Sequence, residues 1–200
     1  MNEHYRTLKF SPIDPTSTCA KTDRGYDNLT LKHPALAVMT DFRLVPAATI
    51  TPQASLSKAL EKMKTVGVRM LLVLDDEGTL KGLITAHDIL GEGVIEYVEK
   101  HRIKREELTV NEIMQPIMAL HGLPLQEVLN STIGDLIHTL KGKGLQHVLV
   151  STVEFGEAKI RGIFSAAEIG RQLGLEMDPM APARSFAELE KVLLHTRAAA

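Results

Sequence analysis

Two short pairs carry the chemistry-bearing groups of this chain: Thr85-x-x-Asp88, and eighty residues later Ser165-x-x-Glu168. A hydroxyl three residues ahead of a carboxylate, both at the start of a predicted helix, is an N-cap pattern. The same groups, beside free helix N–H donors, can also hold a polar ligand. Other reactive types form no recognisable constellation. The eight histidines are scattered, with no metal-ligand spacing. Neither serine nor cysteine stands in a nucleophile motif. Cys19 is the only cysteine, which excludes an internal disulfide. Gly91-Glu-Gly93 is a weak phosphate-loop signal, and the basic run 101–105 reads as a helix end matched to the helix dipole. Catalysis is therefore not expected.

The elements that must position these pairs recur. Residues 67–88 read as a buried strand, a tight Asp-Asp-Glu-Gly turn and a second strand leading into a helix. Five apolar residues from Met70 to Leu74 cannot alternate faces, so that strand is expected to be covered on both sides. Placing Ile133 on Leu56 puts Leu136, Ile137 and Leu140 on Ala59, Leu60 and Met63. It also puts Gly144 on Gly67, and 148–150 on 71–73, without a gap. After a longer turn, Gly162 falls on Gly82, Ser165 on Thr85 and Glu168 on Asp88. Such a duplication is read before any single element.

Within each copy the order is β-α-β-β-α. In the first, residues 48–52 form a short strand stopped by proline. Ser55 caps a helix whose apolar face is Leu56, Ala59, Leu60 and Met63, and Gly67 ends it. One helix is predicted over 86–103, weakened at Gly91 and Gly93. Thr40 and Asp41 read as the end of a short apolar turn. Residues 108–114 repeat that lead-in, ending in Met114 as the first ends in Met39. Residues 115–129 are less regular, with Val128-Leu129 falling on Thr51-Pro52, and Thr132 with Asp135 is a further capping box. A capping box at 185–188 opens a terminal helix with Phe186, Leu189, Val192 and Leu193 on one side.

The bulk properties bound the class. The formal charge of −2 and an aromatic content of 4 % offer no basic, stacking surface for nucleic acid. No apolar run approaches the roughly 20 residues that span a bilayer. The N-terminus lacks an apolar signal core, so a cytoplasmic location is expected. The expected organisation is an arm over 1–34, repeats over 35–104 and 105–176, and a linker with a terminal helix over 177–200.

The order of these motifs, with their duplication, resembles a tandem pair of CBS (cystathionine β-synthase-type) domains, a Bateman module, over 35–173. The first copy is the better match. The resemblance implies an α/β (α+β) fold of two β-α-β-β-α repeats related by a pseudo-twofold axis, with sheets face to face. It implies a cleft that binds an adenosine derivative such as AMP, ADP or ATP, a homodimer, and a regulatory role exerted on an effector protein. On that resemblance, Asp88 accepts from ribose hydroxyls, Thr85 offers a hydroxyl and His87 lies beside them. Thr49, Ile50, Thr51, Met70 and Leu71 wall the adenine of this first site. His147, Val148, Ser165 and Glu168 make a second, weaker site, where His147 is a phosphate contact and the longer Glu168 replaces aspartate. Arg69 is expected to point away from its cleft by strand alternation. The alternative is a ligand-free module for dimerisation or protein interaction.

Overall fold

The computed structural model describes residues 29–143 and 145–174, with Phe186, Ala187 and Leu189 beyond them. Cys19, Gly144, the linker over 177–183, Val192 and Leu193 lie outside the described residues. In chain order the first half contains β1 (Thr40–Asp41), β2 (Thr49–Ile50), α1 (Leu56–Val66), β3 (Met70–Leu74), β4 (Leu80–Thr85), α2 (Ala86–Leu90) and α3 (Glu92–His101). The second contains α4 (Val110–Ile113), β5 (Gln115–Pro116), β6 (Gly122–Pro124), α5 (Leu125–Leu129), α6 (Ile133–Lys141), β7 (His147–Glu154), β8 (Glu157–Ser165) and α7 (Ala166–Gln172).

Local chemistry sets these boundaries. The Ser55 hydroxyl accepts from Lys58 N–H to start α1, and Gly67 ends it in the left-handed region at φ 74°. In the β3–β4 turn, Asp75 Oδ1 accepts from the N–H groups of Glu77 and Thr79, and Gly78 supplies φ 80°.

Two four-stranded sheets result, ordered β2-β3-β4-β5 and β1-β8-β7-β6. Both faces of β3 are covered, as its unbroken apolar run requires. Leu71 and Val73 pack with Leu56, Ala59, Met63, Ile84 and Ile89 on the helix side. Leu72 and Leu83 meet Leu149 and Ile163 of the other sheet on the opposite side. The second core gathers Ile133, Leu136, Ile137, Leu140, Val148, Val150, Phe164 and Ile169, and it also takes in Phe186 and Leu189.

The lead-in strands are exchanged. β1 pairs with β8, Thr40 opposite Ile163 and Asp41 opposite Gly162. β5 pairs with β4, Gln115 opposite Leu83 and Pro116 opposite Gly82. Ala35, Val38 and Met39 accordingly lie in the second core, and Leu108 and Val110 in the first. The exchange is reciprocal, so it obeys the pseudo-twofold relation. Asp41 secures its end through paired hydrogen bonds from Arg161, Nε to Oδ1 at 2.8 Å and Nη2 to Oδ2. That contact holds the Asp41 carboxyl below its usual range.

Three expectations are corrected here. Thr40 and Asp41 do not merely end a turn; they are a strand, too short to show alternation. The helix over 86–103 is two helices. Gly91 is extended (φ −82°, ψ 177°) and separates them. A Cβ there would lie 2.7 Å from the His87 carbonyl oxygen, which is why glycine stands at the bend. Finally, Val128-Leu129 does not replace Thr51-Pro52. β6 runs parallel to β7 with Gly122 opposite Leu149, as Thr49 stands opposite Leu72, so Pro124 is the counterpart of Thr51. The interval from strand to helix is four residues longer in the second copy, and α5 fills it, with Val128 buried in the core.

Candidate functional site

A cavity of about 170 Å³ opens across the seam between the two sheets. The end of β4 and the start of α2 supply Leu83, Thr85, His87 and Asp88. The exchanged strand β5 and the segment after it supply Gln115, Ala119, Leu120 and His121. The approach to β7 and its first turns supply Leu145, Gln146, His147 and Leu149. One wall therefore comes from each repeat, and the exchanged strand closes a third side.

Thr85 and Asp88 form a complete capping box. Asp88 Oδ2 accepts from the Thr85 backbone N–H at 2.8 Å and from its hydroxyl at 2.7 Å, while Thr85 Oγ1 accepts from Asp88 N–H at 3.1 Å. This arrangement spends the hydroxyl proton of the buried Thr85, so that side chain has no donor left for a ligand. It also fixes the carboxylate with Oδ1 turned toward Gln115, whose Nε2 donates to it at 3.3 Å. One oxygen is thus committed to the helix start and the other stands at the cavity. Capping and an outward acceptor coexist in one residue.

His147 begins β7 opposite Ser165. Burial pushes its pKa down to about 4, against the opposing pull of the Asp88 charge. At neutral pH the ring is uncharged, with one N–H and one lone pair.

The second hydroxyl/carboxylate pair behaves differently. Ser165 makes no side-chain cap hydrogen bond. Glu168 is turned along its own helix, where Arg171 Nε donates to Oε2 at 2.9 Å and Gln172 Nε2 to Oε1 at 2.7 Å. This acid reaches down α7, whereas Glu112, equally long, caps back onto Thr109.

Among the sequence candidates, the cavity brings together Thr85, His87 and Asp88 with His147, which the sequence divided between two sites. Thr49 and Ile50 form β2, with Ile50 buried in the first core, and Thr51 follows exposed. Met70 opens β3 opposite Thr85 and packs between the sheets. Leu71 and Val148 face the helices, in the first and second cores. Gln115, His121 and Gln146 were not anticipated. Gln146 was within reach of the repeat alignment, as the neighbour of His147. Gln115 and His121 lie in the irregular stretch, where no periodicity marked them. The N–H of Ala86 donates to the Arg69 carbonyl as that of Ala166 donates to Gln146, so Arg69 is the twofold counterpart of Gln146. A position expected to point away from its cleft is, in its twin, part of a cavity wall.

Among the described residues, no group of three or more His, Cys, Asp or Glu is placed to hold a metal ion. Nor is any helix among them long and apolar enough to cross a membrane.

Two β-α-β-β-α halves, packed sheet to sheet and sharing a seam, have the fold of a CBS-domain pair, a Bateman module. Residues 36–94 match the family model of the CBS domain. Among solved structures, an uncharacterized conserved protein from Pyrococcus horikoshii is similar at 22 % identity, TM-score 0.53, covering 75 % of this chain and 98 % of that one. The CBS-domain protein ATU1752 from Agrobacterium tumefaciens is similar at 18 % identity, TM-score 0.50, over 73 % and 96 %. CBSX2 of Arabidopsis thaliana, solved in complex with AMP, is similar at 20 % identity, TM-score 0.49, over 70 % and 95 %. No curated protein matches the chain.

Proposed function

We propose that this chain is a regulatory module that binds an adenosine derivative, AMP, ADP or ATP, in the seam cavity and passes the bound state to an effector protein. The observation that supports this most is the divided role of Asp88. Its Oδ2 is pinned by Thr85, and Oδ1 is thereby aimed at the cavity, where a carboxylate oxygen can accept from a ribose hydroxyl. Leu83, Leu120 and Leu149 give the apolar walls that small-ligand sites use, and His147 and Gln146 the few polar groups. Thr85 acts by positioning Asp88. The homodimer and cytoplasmic location expected from the sequence belong to the same reading.

A ligand at 100 times its dissociation constant adds roughly 2.7 kcal/mol of stability, a melting shift of about 5–11 °C for a chain of this size. We expect that shift with at least one of adenosine, AMP, ADP or ATP, and its loss in Asp88→Ala. Thr85→Ala weakens the cap to a similar extent but keeps the carboxylate and the Thr85 backbone N–H that donates to it, so it should cost similar stability while weakening binding less than Asp88→Ala. The competing reading is an interaction module with empty clefts, favoured by Leu90 and Ile95, 68 % and 56 % exposed on α2 and α3. No shift with any adenosine compound, together with a tight dimer in sedimentation, overturns ligand binding in its favour.

A further inference from the structure

We infer that the seam cavity selects a nucleoside carrying little negative charge and disfavours a triphosphate. This rests on the reading above and narrows its ligand class. Among the described residues that line the cavity, the titratable groups are Asp88, His87, His121 and His147, with no lysine or arginine. The α2 wall brings His87 and Asp88, the segment from β5 brings Gln115 and His121, and the approach to β7 brings Gln146 and His147. The set holds one carboxylate and no lysine or arginine to offset it.

A triphosphate would crowd several negative charges near Asp88 with no fixed cation to offset them. One like-charge pair at about 4 Å weakens binding about fivefold even in water, and more where solvent is partly excluded. The neutral His147, with its one donor and one acceptor, instead matches the edge of a heteroaromatic base. The repeat itself supplies the contrast. At the twofold-related position the first copy has Arg69 where the second has Gln146. The cation present in one half of the duplication is replaced by an amide at this cavity.

The test is calorimetric titration of the purified chain at low salt and pH 8, with adenosine, AMP and magnesium-free ATP. Binding is assigned to this cavity as the component abolished in His147→Trp, whose indole fills it. We expect adenosine and AMP to bind and ATP to bind at least about fivefold more weakly. Gln146→Arg restores the cation, and should raise the ratio of ATP to adenosine affinity about fivefold or more, whatever it does to adenosine itself. Should Gln146→Arg fail to fold, His121→Lys at the exposed rim makes the same comparison. ATP binding as tightly as adenosine, or a variant that moves both ligands equally, overturns the charge selection while nucleoside binding stands. If none of the three binds, or if His147→Trp abolishes no component, the cavity is not the nucleoside site, and the reading beneath falls with the inference.

Discussion

Gly82→Ala tests the strand exchange at its tightest point. A Cβ on Gly82 would lie 2.3 Å from the Gln115 carbonyl oxygen and 3.2 Å from Met114 Sδ. The twofold-related Gly162 has the same neighbours in kind, with the Thr40 carbonyl oxygen at 2.5 Å and Met39 Sδ at 3.1 Å. The obstruction is backbone, so no side chain can rotate away. Relief requires β5 to move about 1 Å, which weakens its pairing with β4. Such overpacking costs about 2–3 kcal/mol. Alanine regains about 0.5 kcal/mol by restricting the unfolded chain. The net loss is about 1.5–2.5 kcal/mol, a melting decrease of about 3–10 °C. Because β5 carries Gln115 to Asp88, ligand affinity should fall as well. Gly93→Ala in α3, where nothing lies within 4 Å of the new Cβ, is the control. It should gain about 0.5–1 kcal/mol from helix propensity. Urea unfolding followed by circular dichroism reads both. Gly82→Ala as stable as the parent, or both variants destabilised alike, would refute the close approach of the exchanged strand.

Two further outcomes follow from single residues. The pKa of His147 is lower in the folded chain, about 4 against an ordinary 6.5, so the unfolded chain binds more protons between those values. Its contribution is complete above pH 6.5 and is lost as pH falls toward 4, a change of about 3 kcal/mol. His147→Gln should flatten that slope. Asp41, held low by Arg161, and Asp135, held low by the Thr132 hydroxyl, lose their contributions only below about pH 4, outside the window. An unchanged slope in the variant would contradict the burial of this ring. Phe155 sits fully exposed at the β7–β8 turn with φ 53°, followed by Gly156 at φ 84°. Asparagine tolerates that conformation better, so Phe155→Asn should add about 0.5–1 kcal/mol in the same urea assay. A loss of stability would contradict the cost assigned to this backbone conformation.

The sequence revealed what is local or repeated. The Ser55 cap, the Gly67 terminus, the Asp75–Gly78 turn and the duplicated hairpin each have a signature within a few residues, and the structure has all of them. The exchange of β1 and β5 has no such signature. Two residues cannot display a period, and pairing partners 32 to 123 positions distant are not written in any window. Yet Gly82 and Gly162, aligned in the repeat, were its trace: each is glycine because a foreign carbonyl crosses it. The helix over 86–103 failed at Gly91, where a propensity cost was weighed but a change of direction was not. The site was half legible. Spacing marked Thr85 and Asp88 as a cap, and the family resemblance implied a ligand role for them and for His147, but their meeting in one cavity depends on the seam between sheets, which follows from packing. Glu168 reads as a longer, weaker stand-in for Asp88, and the two acids do have different partners, Thr85 for the one and Arg171 with Gln172 for the other.

The crossed lead-ins bear on how the duplication can be taken apart. A fragment ending near residue 104 keeps Ala35 and Val38, which fill the other half's interior, and lacks Leu108 and Val110, which fill its own. Neither piece holds the whole of its own interior. Severed there, the two polypeptides each carry the plug for the other's hole, so they should complement one another on mixing as a split protein does.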